Sequence, residues 1–410
     1  MWTFNVLIFD KKILQKKIIV VCLIAIGLSA CSSTDEIDKT LPADLEEINQ
    51  QFEPKVLWEE SFGSGADDSF SRIAPVIAYD KLFTSSREGD VAAIDPNTGN
   101  EIWSTDLSDV GDKNGFFDFF DRNESAFISG GPVAGINKIF LGSENGKIYA
   151  LNAETGQLDW QSTIKGEVLS APAIDSGVLV VNSSSGVMKA FNASTGEELW
   201  KIDQDTPALT LRGISAPSIS SGGVFIGTPD GNLSVYILEN GQQGWSSAIG
   251  EPSGSTEFER VIDVDSSPVV FGDKVYTISS RGNLVAIELR TGQVAWKRKY
   301  SSHTDLLVGS NNIYLTDVKG HVYAVDRLNG TEKWSQLALT NRDVTGPVEI
   351  DKYIVVGDFE GYMHWLDRET GEIVSRHQVD SSGLHVTPSV LDGIIYSQAR
   401  NGDMQAIKTP

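Results

Sequence analysis

The sequence predicts an all-β protein: a single eight-bladed β-propeller of four-stranded blades, closed by its own N-terminal strand. Three observations carry this. Glycines recur at 89, 146, 186, 231, 282, 320, 361 and 402. A second glycine follows ten residues after each of the first seven, at 99, 156, 196, 241, 292, 330 and 371. Tryptophan stands fourteen residues after six of them, at 103, 160, 200, 245, 296 and 334, with Ser375 in the seventh place. Self-similarity at a mean spacing of about 45 residues marks a repeat architecture.

The chain opens with a leader. Lys11, Lys12, Lys16 and Lys17 precede an apolar run over 18–28, which is too short for a comfortable membrane span. Leu28-Ser29-Ala30-Cys31 follows, small residues before a cut and a cysteine after it. This resembles the bacterial lipobox, which implies a signal peptide over 1–30 and a Cys31 that becomes the acylated first residue. Ser32, in place of aspartate, resembles the outer-membrane sorting signal. The competing reading is an ordinary secretory signal with an incidental cysteine. Two or more acyl chains suffice for stable anchoring. Residues 31–54 then read as an acylated, solvated tether, because 32–54 are rich in acidic side chains and carry Pro42 and Pro54. A short helix over 41–49 is an option there.

Composition excludes several classes. The 410 residues hold 33 basic and 56 acidic side chains, a net charge of −23, so the chain repels nucleic-acid phosphates. A disulfide scaffold is excluded, since one of the 2 cysteines lies in the leader.

Residues 55–410 make the ring. In the unit ending at Trp200, Ala173-Ile174 reads as a short strand and 178–182 as an apolar one. Residues 187–192 alternate and 197–202 form the last strand, with turns at 183–186 and 193–196. Four short strands per unit make a propeller blade. A tryptophan at one fixed place per blade can bury a large ring against the neighbouring sheet. Seven motifs are complete. The eighth starts at Gly402, and Trp58 supplies its missing outer strand, which closes the ring without open edges.

Units of the form Gly-x-x-x-Ala-x-Asp-x-x-Thr-Gly-x-x-x-Trp, as from Gly89 through Asp95 and Gly99 to Trp103, resemble the quinoprotein propellers. With the lipobox, the tether and a single ring, the chain resembles the BamB family of lipoproteins of the outer-membrane β-barrel assembly machinery. Two segments sharpen the resemblance. Leu209-Thr210-Leu211-Arg212-Gly213-Ile214 and Gly254-Ser255-Thr256-Glu257, running to Asp263-Val264-Asp265, are similar to the BamB segments that contact BamA. The resemblance implies a non-enzymatic scaffold on the periplasmic face of the outer membrane. Its partners would be BamA, other subunits of the machinery and unfolded barrel proteins, with no cofactor. Ser375, Asn240-Gly241 and Asn329-Gly330 depart from the repeat at single blade junctions.

The residues themselves point to the same rim. The first, third and fourth spacings of the repeat are the long ones, and each insertion follows the motif tryptophan. Such connections emerge on one rim, where a rigid scaffold usually binds. Leu209 and Leu211 alternate onto one face and read either as core or, beside Arg212, as interface anchors. Asp263 and Asp265 read as interface anions, turn caps or a solvated acidic rim; an internal Arg212–Asp265 ion pair is a further option. Phe116-Phe117-Asp118-Phe119-Phe120 reads as a contact surface or a loop folded over its own rings. His303, His321, His364, His377 and His385 show no metal-ligand spacing.

Two other functions compete. A pyrroloquinoline-quinone dehydrogenase would resemble this fold, but no cysteine follows Cys31 and no clustered Glu, Asn and Asp set is recognisable. The other is a periplasmic propeller that binds a different envelope partner.

Overall fold

The computed structural model describes residues 41–66, 69, 71–108, 125–204, 214–250 and 264–410. Residues Pro42–Pro410 form one compact unit. Its strands assemble into eight antiparallel sheets of four strands each. The unit ending at Trp200 shows the pattern: Ala173–Asp175, Val178–Asn182, Val187–Asn192 and Glu198–Asp203 pair in sequence order. The short first strand of each blade lies beside those of its neighbours and faces the ring axis.

The repeat signature is a junction device. Each motif tryptophan sits on an outer strand, opposite alanine of the strand inside it in five blades and opposite Val235 in the fourth. Ala93 faces Trp103, Ala150 faces Trp160, Ala190 faces Trp200 and Ala324 faces Trp334. The indole then reaches across to the next blade. Trp103 Nε1 donates to Ala153 O at 3.1 Å, and Trp200 Nε1 to Leu238 O at 2.8 Å. The second glycine of the next blade lies beneath the ring; a Cβ on Gly156 would come within 2.5 Å of Trp103, at a φ of +70°. Glycine is therefore required twice over, for the turn and for the close approach. The apolar core accordingly falls into eight clusters, each shared by two adjacent blades.

The ring closes as the sequence predicts. Lys55–Ser61 pairs antiparallel with Asp403–Lys408, with Trp58 opposite Ala406. Trp58 Nε1 donates to Pro96 O of the first blade at 2.8 Å. The eighth blade is thus three C-terminal strands and one N-terminal strand.

Ser375 has a physical account. In the seventh blade the usual pair is reversed: Trp365 occupies the inner position and Ser375 the outer one. Trp365 is fully buried, and its Nε1 donates to Thr409 Oγ1 of the eighth blade at 3.0 Å. The indole has moved one strand inward and still bridges the junction. Phe52 fills the space outside it, with ring centroids 6.2 Å from Trp365 and 5.0 Å from Tyr353.

Phe52 belongs to the stretch read above as solvated. Residues 42–54 have no helix; they run extended along the sixth and seventh blades. Ala43, Leu45, Ile48 and Phe52 are half-buried while the acidic side chains between them stay exposed. The acidic composition describes the outer face of the segment and missed the inner one.

Candidate partner interface

The insertions in the third and fourth spacings leave from neighbouring junctions, between blades three and four and between blades four and five. Leu209, Leu211, Arg212 and Asp263 lie outside the described residues, as do Cys31 and the 116–120 run. The stems of both loops are described. Gln204 N donates to Gly186 O at 2.8 Å and Ile249 N to Gly231 O at 2.9 Å, so each loop starts from a turn of its own blade. The returning stems are tied to each other. Ser215 Oγ donates to Ser266 O at 2.9 Å, and the Gly227 amide donates back to Ser215 Oγ at 3.1 Å. Ser215 is 1% exposed and Ser266 fully buried, so this bond is shielded from water. One hydroxyl therefore fixes the bases of both loops relative to each other.

Asp265 is placed differently from its sequence reading. It is 4% exposed, not a solvated rim anion. Burial pushes its carboxyl above the usual carboxylate range, and the Arg72 guanidinium of the first blade pulls partly the other way. An ion pair with Arg212 falls outside the described residues; the described charge acting on Asp265 is Arg72. On one side Asp265 borders a space of about 10 Å³ with Asn182 and Gln204, the size of a single water.

On the other side Asp265 lines a cavity of about 400 Å³ at one mouth of the ring axis. The wall consists of residues just before the inner strands of seven blades, including Arg72, His303, Asp343 and His385, together with Arg400 from the turn between two strands of the eighth blade. Some of its charged groups have partners within the wall. His385 Nδ1 lies 3.4 Å from Asp343 Oδ2 and holds that carboxyl below its usual range. Burial pushes His303 down, assisted by Arg72. Asp305 Oδ1 accepts from the Ser267 amide at 2.8 Å. Among the described residues no group of three or more His, Cys, Asp or Glu side chains is arranged to hold a metal ion.

Sequence reasoning missed Arg72, Arg342 and Arg376. None stands in a motif, and each acts through a partner far along the chain. Ser375 was the available signal, because a broken repeat position marks a place where something else packs.

The described fold has close counterparts. The family model for outer membrane protein assembly factor BamB matches residues 52–114 and 87–336. The outer membrane protein assembly factor BamB of Shewanella oneidensis is 43% identical over 383 residues, covering 93% of this chain and 96% of the relative. The crystal structure of BamB from Moraxella catarrhalis superposes with a TM-score of 0.75 at 24% identity, over 87% of this chain and 100% of that one. The quinohemoprotein alcohol dehydrogenase of Comamonas testosteroni shares the fold at a TM-score of 0.66 and 13% identity, over 88% and 78%. Identity at the first of these levels, along nearly the whole of both chains, assigns the family: the chain belongs to the BamB family of outer membrane protein assembly factors.

Proposed function

We propose that this protein is a non-enzymatic scaffold of outer-membrane β-barrel assembly. In this reading it is lipid-anchored through Cys31 on the periplasmic face of the outer membrane. It binds BamA through Leu209, Leu211, Arg212 and Asp263. The observation that carries the reading is the Ser215–Ser266 bond, which ties together the stems of the two loops that bear these residues. A scaffold interface needs its anchors held in register before the partner arrives. Asp265 serves as a positioning residue beneath the second loop, since it is buried and faces Arg72.

In the wall of the axial cavity His385 pairs with Asp343, and Asp305 accepts from the Ser267 amide.

Affinity purification of the tagged chain from solubilised outer membrane tests the proposal. BamA is expected in the eluate, and Arg212→Ala should remove most of it. An eluate holding other envelope proteins but not BamA sinks the reading.

A further inference from the structure

Residues 42–52 lie in a groove along blades six and seven. The groove holds this segment chiefly by its main chain. The Ala43 amide donates to Thr340 O at 2.9 Å, and Arg342 Nη1 donates to Ala43 O at 2.9 Å. Arg376 Nη1 donates to Glu46 O at 3.1 Å. The Gln51 amide donates to Val374 O at 2.8 Å, and Ser375 Oγ donates to Phe52 O at 2.8 Å. Main-chain bonds of this kind are indifferent to sequence. Two sockets supply the side-chain preference. Leu45 packs on the cluster containing Trp334 and Ile354, and Phe52 packs between Tyr353 and Trp365.

The groove's two guanidinium groups are also held by partners within the ring. Arg342 is 3% exposed in its side chain; its Nε donates to Asp358 Oδ2 at 2.8 Å, and it pairs with Glu360. Arg376 Nε donates to His364 Nδ1 at 3.2 Å, and His364 Nε2 meets Asp358 Oδ2 at 2.9 Å. Asp358 and His364 are both fully buried. The two guanidinium groups are thus aimed by partners inside the blade. The Phe52 socket exists because the seventh blade carries serine where the repeat has tryptophan. The segment, by contrast, has no secondary structure and no core of its own.

We infer that this groove is a docking site for an extended polypeptide strand with an aromatic anchor, occupied in cis by residues 42–52. The chemistry of the occupant follows from the contacts: a free main chain, an aliphatic side chain, and an aromatic one seven residues later. An unfolded strand of a barrel protein meets that description, so the inference deepens the assembly reading and rests on it for the identity of the partner. The cis segment competes at an effective concentration on the order of millimolar, which keeps the groove closed to weak ligands.

Fluorescence polarisation with a labelled twelve-residue peptide of alternating Val and Thr carrying one Phe tests this. The full chain is compared with its Leu45→Ala/Phe52→Ala variant, in which the segment is loosened. The peptide should bind the variant at least tenfold tighter. Adding Ser375→Trp to the variant should erase the gain by filling the socket. The same peptide with Phe replaced by Ala should bind the variant at least tenfold more weakly, a comparison that needs no third substitution. Equal binding to both proteins, no binding to either, or indifference to the peptide's Phe each overturn the inference. BamA capture from the same preparations is scored separately. Capture without peptide binding removes the groove and keeps the scaffold; peptide binding without capture does the reverse.

Discussion

Trp365 and Ser375 face each other across adjacent strands of the seventh blade, in the opposite order to Ala324 and Trp334 one blade earlier. The two positions compensate. One indole fills each blade junction, and either of the two facing strands can supply it as long as the other does not carry a second large ring.

This exchange makes a stability prediction. Trp365→Ala should cost about 3–5 kcal/mol, the usual loss for a buried large aromatic. Ser375→Trp alone should also destabilise, by driving a second indole into the Phe52 socket. The double variant should recover part of both losses, because the sites are in contact and couple. Urea unfolding of the four proteins gives the coupling; strict additivity would disprove compensation.

Ring closure makes a second. Trp58→Phe keeps most of the buried ring and loses the bond to Pro96 O, worth about 1 kcal/mol. Trp58→Ala should cost about 3–5 kcal/mol. Removing residues 403–408 should abolish cooperative melting, while removing 42–50 should leave it. A truncation that melts like the parent would show the seam to be dispensable.

The buried network under the groove predicts acid sensitivity. Burial, together with Arg376 and Arg342, holds His364 below its usual range, although Asp358 opposes this. The unfolded chain therefore binds the extra proton first, and stability falls as pH drops below about 6.5. The slope is at most about 1.4 kcal/mol per pH unit for one proton. Asp358 is held low by His364 and Arg342 against its burial, so its contribution is present above about 3.8 and is lost as pH falls through its folded value. Melting curves between pH 7.5 and 5 should drop for the parent and stay flatter for His364→Gln. Parallel curves would exclude His364 as the source.

Asp265 and Arg212 should separate by experiment. Arg212→Ala should change stability by no more than about 0.5 kcal/mol and weaken BamA capture by about 2 kcal/mol or more. Asp265→Ala should lower both together, since it opens space behind the loop. Asp265→Asn keeps the shape. The folded state favours a protonated Asp265, so this group's stability contribution is present below the unfolded value and declines as pH rises through the folded one. The Asn variant should lack that decline and melt no lower than the parent at neutral pH. An Asp265→Ala protein with parental melting but no BamA capture would return Asp265 to the interface.

The anchor is the simplest to check. Cys31→Ser should leave the chain unacylated, as an uncleaved precursor or a soluble species. Mass spectrometry of the membrane-bound parent should find acyl chains on Cys31. A parent with a free amino terminus at another residue would remove the anchor.

The ring was legible because its signals are local. Gly156, Trp160 and the turn just before them lie within one unit, and the spacing repeats often enough to count blades and to pair Trp58 with the last one. The groove was not legible. Ser375 binds Phe52 from 323 positions away, and Arg376 binds Glu46 from 330 away. Both reach carbonyl groups, which every residue has. Asp265 misled for a related reason: alternation gives the face of a side chain, not whether another blade closes over it. Arg72, which does so electrostatically, belongs to the first blade, four blades earlier in the chain.

The seam between Lys55–Ser61 and Asp403–Lys408 also sets a timetable. A chain delivered from its N-terminus presents the first of these strands early and the second last. During that interval the strand holding Trp58 is an unsatisfied edge, while seven neighbouring sheets are already forming from local hairpins. Closure is a contact of very long sequence separation, so it comes late and holds the slowest step of maturation. The hazard of mispairing is therefore concentrated on a single heptapeptide, whose own charges Lys55, Glu59 and Glu60, with Glu53 just before it, oppose edge-to-edge association until its partner emerges.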